Sequence, residues 1–207
     1  AVLMVHYFGQ PQDIELFQQF SKKHNLMLIE DNAHGHGGSY NGKRLGLFGD
    51  CGISSPSKIL RTDSGGLLWL NDSKSFNQPQ LTPNHVSFRN RIKKIISTPY
   101  PALKNSIKKI LKTRPKFEDP TAFRESPISD YTIDKFSKEI IEHTDWSALR
   151  KTHQSAYYKW HNFALKNNLT PVFSKLHPEA NPWCYPAYTN DQQESIKWFD
   201  WGWNNNK

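Results

Sequence analysis

Short apolar blocks alternate with amphipathic stretches over the first third of the chain. Ala1 to Val5 is an apolar run of strand length. Between Asp13 and His24, Ile14, Phe17 and Phe20 recur at helical spacing, with Pro11 just upstream as a start signal. Leu26 to Ile29 is again apolar, as are Cys51 to Ser54 and Gly66 to Leu70. Asn41-Gly42, set between short flanks from Ser39 to Arg44, reads as a hairpin turn. Strand, helix and strand in this order predict an α/β fold with a mostly parallel sheet covered by helices.

The pattern changes at Asn71. Residues 72–88 are polar, with several breakers, and read as a loop. Ile92, Ile95 and Ile96, then Leu103, Ile107, Ile110 and Leu111, recur at helical spacing on either side of Pro99 and Pro101. Ten Lys and Arg residues and no acid lie between Arg89 and Lys116, so these are two basic amphipathic helices by pattern. Such a stretch suits a solvated face, a membrane surface or a polyanion. Residues 117–128 carry prolines and acids and read as a linker. A long helical stretch follows from Thr132 to about Asn167, with a break near Thr144-Asp145 and apolar faces marked by Ile133, Phe136 and Ile140, then Leu149, Tyr157, Trp160 and Phe163. Tyr131, Tyr157 and Trp183 read as packing residues.

Composition narrows the class. The 207 residues suffice for one or two domains with a core. No apolar run approaches the roughly 18–20 residues that cross a bilayer, and no secretory leader is visible. Cys51 and Cys184 offer no disulfide framework, which points to a reducing, cytoplasmic setting. The net charge of +8 comes without a zinc-finger spacing or an RNA-binding signature, so a nucleic-acid partner is not expected.

The candidate chemistry sits at two predicted strand ends. Asp31-Asn32-Ala33-His34 follows the run ending at Ile29, and Ser55-Pro56-Ser57-Lys58 follows Ser54. Ligands of open α/β sheets bind beyond the carboxyl ends of the strands. An acid, an imidazole, a hydroxyl and an amine converging there suit a phosphorylated, protonatable aromatic cofactor, with pyridoxal 5'-phosphate the best match. A lysine amine such as Lys58 forms a Schiff base with an aldehyde once it has lost its proton. A carboxylate such as Asp31 keeps a pyridine nitrogen protonated, so that the ring withdraws electrons. His34 is placed to hydrogen-bond the ring's phenolic oxygen, and Ser55 to reach the phosphate. Taken alone, Glu30-Asp31 reads as a solvated turn or helix cap. His34 and His36 lack further ligands at metal spacing, so no metal site is expected.

Five motifs carry a family resemblance: Val5-His6-Tyr7-Phe8-Gly9-Gln10-Pro11, Ile29-Glu30-Asp31-Asn32-Ala33-His34, Gly46-Leu47-Phe48-Gly49-Asp50, Ser55-Pro56-Ser57-Lys58 and Asp63-Ser64-Gly65-Gly66. In this order they resemble the DegT/DnrJ/StrS family of sugar aminotransferases, which use pyridoxal phosphate and have fold type I. The match is dense over residues 1–71 and loose beyond. It implies that Asp31 pairs with the pyridinium nitrogen, that Lys58 carries the cofactor, and that His34 stands where the family commonly has glutamine. The phosphate-binding serine stands five residues before the lysine in some members, where this chain has Ile53. Ser55 is the assignment here and Ser54 the fallback. Some relatives replace the lysine with histidine and become dehydratases, and Lys58 argues against that fate. Arg150 to Tyr157 and Pro182 to Tyr188 are looser counterparts of motifs in the family's smaller C-terminal domain.

The resemblance implies a fold-type-I transferase-like chain: a partial large domain plus part of a small C-terminal α+β domain. Residues 1–75 would be the C-terminal part of the cofactor-binding domain, 76–128 a basic helical insertion and linker, and 129–207 the partial small domain. The family's phosphate loop and cofactor-stacking aromatic are not found, and the chain starts at Ala1 inside an apparent central strand. The expectation is therefore a fragment that alone binds the cofactor weakly and is inactive. The implied whole is a homodimer moving an amino group from glutamate to a nucleotide-linked keto-sugar, in the making of surface polysaccharide or glycan precursors. A dehydrating or epimerising enzyme is a second reading. A non-catalytic truncated product, or a basic module for membranes or polyanions, is the reading from another class.

Overall fold

The computed structural model describes residues 1–60, 62, 65–71, 80–83 and 131–205. The chain divides into two compact units, Ala1–Pro83 with Tyr131–Tyr188, and Asn84–Asp130 with Thr189–Lys207. The basic stretch 89–116, the linker 117–128 and the motif residues Asp63 and Ser64 lie outside the described residues.

In the first unit, strands β1 (Val2–Val5), β2 (Leu28–Asp31), β5 (Cys51–Ser54) and β6 (Leu67–Leu70) form one sheet in the order β1-β2-β5-β6. The first three are parallel and β6 is antiparallel to β5. Between β2 and β5, β3 (Ser39–Tyr40) and β4 (Lys43–Arg44) form the expected hairpin. Its turn residues Asn41 and Gly42 both have positive φ, 49° and 75°, as a tight primed turn requires. Helix α1 (Ile14–Lys23) starts where the Asp13 carboxylate accepts the Leu16 N–H at 3.0 Å. Ile14 buries with Met4, Leu28 and Leu45 to make the core on one face of the sheet.

Strand β2 ends two residues later than the apolar run suggested, so Glu30 and Asp31 lie inside it. The expectation of a solvated turn or cap fails for Glu30, which is fully buried. A charge survives there because it is saturated with donors. Glu30 accepts His6 Nε2–H at 2.9 Å and the N–H groups of Gly46, Phe48 and Gly49 at 2.5, 2.7 and 3.2 Å. This explains the Gly46-Leu47-Phe48-Gly49-Asp50 motif, a loop laid across the sheet and wrapped around a carboxylate. A Cβ on Gly52 would sit 2.1 Å from the Gly46 carbonyl oxygen, so only glycine lets the loop lie this close.

The same unit contains α2 (Lys135–His143), α3 (Trp146–Lys166) and a small antiparallel pair, β7 (Thr170–Pro171) and β8 (Ala187–Tyr188). The break between the two helices falls at Thr144-Asp145 as expected. There the Asp145 carboxylate caps α3 by accepting the Ala148 N–H at 3.0 Å. Tyr157 is buried against Leu176 and Ala180, whereas Tyr131 is exposed. In the second unit, α4 (Gln192–Asn205) begins with Asp191 accepting the Glu194 N–H at 2.7 Å. Among the described residues, no helix is long and apolar enough to cross a membrane.

Candidate active site

Parallel strands β1, β2 and β5 all end on one edge of the sheet, and the predicted site residues lie there. Asp31 closes β2, His34 lies three residues on, and Lys58 sits in a 3-10 turn (Pro56–Lys58) directly after β5. Because β6 runs the other way, Gly65 and Gly66 reach the same edge, with Leu67 paired to Ser54.

One Asp31 oxygen accepts the Ala33 N–H at 2.9 Å. Its second oxygen has no hydrogen bond among the described residues, and the side chain is half-buried. His34 Nδ1 accepts the Phe8 N–H at 3.2 Å, so the ring proton sits on Nε2, which has no partner among the described residues. Burial first, then the charge of Lys58, push this imidazole below its ordinary pKa, against an opposing pull from Asp31. Both charges act on His34, which places Asp31, His34 and Lys58 in one electrostatic neighbourhood. Lys58 is exposed and makes no ion pair among the described residues.

The two candidate serines part company. Ser54 Oγ is buried and hydrogen-bonded to His36 Nδ1 at 2.6 Å. Ser55 Oγ lies 3.2 Å from Ser57 Oγ, with both residues half-buried, and so presents two neighbouring hydroxyls. His36 is a structural residue. It stacks on Trp69 and meets the edge of Trp146, while burial and then the Arg44 charge push its pKa down to about 4.

Two neighbours of these residues are not announced by the sequence. Trp183 reads there as packing, yet its indole is stacked on His34 with centroids 4.4 Å apart, and Lys58 Nζ lies 5.4 Å from the ring centroid. Phe8 is the other. It occupies the left-handed region at φ 57°, rare for a bulky side chain, and its backbone joins the two. Its N–H goes to His34, and its carbonyl accepts the Trp183 N–H at 3.1 Å. The only sequence hints were Gly9 after Phe8 and the Pro-aromatic pair Pro182-Trp183. Beside Trp183 opens a cavity of about 440 Å³, lined in part by His153, Tyr157, Trp160 and Tyr185.

The groups suit the pyridoxal ring: a carboxylate oxygen and an imidazole N–H that have no partner among the described residues, paired hydroxyls and an accessible amine.

Residues 1–98 match the model of the DegT/DnrJ/EryC1/StrS aminotransferase family. The chain is 29% identical over 212 residues to a dTDP-3-amino-3,6-dideoxy-alpha-D-galactopyranose transaminase from Aneurinibacillus thermoaerophilus, covering 95% of this chain and 56% of that protein. A GDP-perosamine synthase from Caulobacter vibrioides is 39% identical over 74 residues, covering 35% of this chain and 20% of the relative. Among solved structures, the Helicobacter pylori aminotransferase PseC, involved in pseudaminic acid biosynthesis, superimposes with a TM-score of 0.61 at 19% identity, over 95% of this chain and 47% of PseC. The fold is thus that of about half a fold-type-I aminotransferase.

Proposed function

From the membership of residues 1–98 in the DegT/DnrJ/EryC1/StrS aminotransferase family, we propose that this chain is part of a pyridoxal-phosphate-dependent nucleotide-sugar aminotransferase. The observation that carries the reading is the meeting of Asp31, His34 and Lys58 at the carboxyl edge of one sheet. When bound, pyridoxal phosphate supplies an aldehyde for an amine and an electron-withdrawing ring.

The roles of the protein groups follow from their surroundings. Lys58 is the amine that would hold the cofactor, and as a free amine it would serve as general base and acid. Asp31 would offer the pyridinium N–H its second oxygen, which has no hydrogen bond among the described residues. His34 donates its Nε2–H to the ring's phenolic oxygen, and its lowered pKa keeps the imidazole neutral for that task. Ser55, with Ser57 beside it, anchors the phosphate. Ser54 is already committed to His36, which disfavours it for that role.

Its relatives are named for sugars carried on dTDP or GDP, and on that basis the acceptor is a keto-sugar carried on a nucleotide; the cavity beside Trp183 is of a size that accepts such a ligand. Glutamate as donor, a homodimeric whole, a cytoplasmic setting and a role in polysaccharide or glycan precursor synthesis complete the proposal. The test is isotopic. With the polypeptide as the cell makes it, pyridoxal phosphate and a nucleotide-linked keto-sugar, labelled nitrogen from glutamate should appear on the sugar. Sugar that loses water or inverts a centre without gaining nitrogen would replace transamination with dehydration or epimerisation.

A further inference from the structure

Trp183 is exposed to 43%, which is a large apolar area to leave in water for a residue that only packs. Its backbone is nevertheless tightly fixed. Its N–H is bonded to the Phe8 carbonyl, and the preceding Pro182 is buried. Asn181, fully buried, donates from Nδ2 to the His36 carbonyl at 2.6 Å. A Cβ on Gly9 would lie 2.5 Å from the Asn181 carbonyl oxygen and 2.8 Å from that of His34. Residues 8–9, 34–36 and 181–183 therefore form one interlocked seam, and Phe8 accepts an unfavourable backbone conformation to close it.

The seam delivers the indole to two of the three groups assigned to chemistry. One is the imidazole of His34, stacked at 4.4 Å with an interplanar angle of 29°. The other is the ammonium of Lys58, at 5.4 Å from the ring centroid. A cation over an indole is attracted by the ring quadrupole, and tryptophan is the strongest such partner. No carboxylate forms an ion pair with Lys58 among the described residues, and the ammonium stands over the indole face instead.

We propose that Trp183 is a positioning residue of this site, setting the ring plane of His34 and holding the Lys58 amine over its own face. The inference rests on the reading of Lys58 as the reactive amine, but the contact itself exists without a cofactor and is tested without one.

Competitive acetylation of the whole chain with trace acetic anhydride, read by peptide mass spectrometry, gives the rate at Lys58 relative to exposed Lys23. Trp183→Leu should raise that ratio about two- to five-fold, the factor set by a cation–π contact at an exposed site. Trp183→Phe should fall between. The His34 ring-proton resonances, displaced by the indole ring current, should return towards ordinary positions in Trp183→Leu and stay partly displaced in Trp183→Phe. A role confined to packing would leave the Lys58 rate unmoved in a folded variant, the ring-proton shifts reporting only that the stacking has been lost. Equal Lys58 rates in wild type and in every folded variant overturn the proposal, even where the leucine variant fails to fold. That result would leave Lys58 as the cofactor amine untouched. Conversely, absence of a pyridoxal phosphate adduct at Lys58 would leave the contact standing.

Discussion

His6 and Glu30 meet 2.9 Å apart with both side chains fully removed from solvent. His6 Nδ1 accepts the Gln12 N–H at 3.1 Å, so the proton facing Glu30 is on Nε2. Burial alone would raise the Glu30 pKa, yet the hydrogen bonds from His6 and from the backbone of Gly46 and Phe48 outweigh it and hold the carboxyl below its ordinary value. The pair therefore fixes the loop that leads into β5, and β5 leads to Lys58. Glu30→Gln puts an amide donor against donors and should cost about 3 kcal/mol. A urea melt should show the midpoint falling by about 1 M or more.

His36 gives the fold an acid sensitivity. Its pKa of about 4 in the folded state lies below the ordinary value near 6.5, so between those pH values the unfolded chain binds a proton that the native chain does not. Stability contributed by this residue is complete above about pH 6.5 and declines as the pH falls towards 4. The loss amounts to about 3 kcal/mol at 1.36 kcal/mol per pH unit. Urea melts from pH 7 to pH 4.5 should show this slope, and His36→Gln should reduce it, leaving the part that the other depressed imidazoles, His34 and His153, contribute. Below that range Glu30 takes over, since a depressed carboxylate loses its contribution as it protonates.

Two glycines with positive φ separate space from strain. A Cβ on Gly46 (φ 101°) would lie 2.6 Å from the Trp69 ring, whereas one on Gly42 (φ 75°) would meet nothing within 4 Å. Gly42→Ala should cost about 1 kcal/mol, from backbone strain alone. Gly46→Ala should cost about 3 kcal/mol, because Trp69 must also move. Comparable losses in thermal melts of the two variants would contradict this account of the loop.

Asp31 carries a testable charge. Asp31→Asn keeps the shape and an acceptor for the Ala33 N–H but removes the negative partner proposed for the pyridinium nitrogen. Affinity for pyridoxal phosphate, followed by its visible absorbance, should drop about tenfold or more, the range for a hydrogen bond to a charged group. An unchanged affinity would remove Asp31 from the site.

Much of this architecture was legible in residue order. Ile14, Phe17 and Phe20 marked α1, Asn41-Gly42 the hairpin, and the apolar blocks the four strands, because each is a local signal. Strand β2 was placed two residues early because Glu30 and Asp31 look too polar for a strand. What rescues Glu30 is a set of donors from His6, Gly46, Phe48 and Gly49, which only the folded chain assembles. That Asp31, His34 and Lys58 share one end of the sheet was legible, because Asp31 closes β2 and the other two stand just past β2 and β5. Trp183 was not, since about 150 residues separate it from His34 and nothing in its neighbours announces the stacking. Phe8 was hidden for another reason: a positive φ at a phenylalanine contradicts its own preference, and tertiary hydrogen bonds impose it.

The most direct test of the whole account is where pyridoxal phosphate attaches. The chain is mixed with an excess of the cofactor, reduced with borohydride, digested and mapped by mass spectrometry. The phosphopyridoxyl group should concentrate on Lys58 above every other lysine, and in Lys58→Ala no other site should gain it. Label scattered over the surface lysines, with no preference for Lys58, would contradict it.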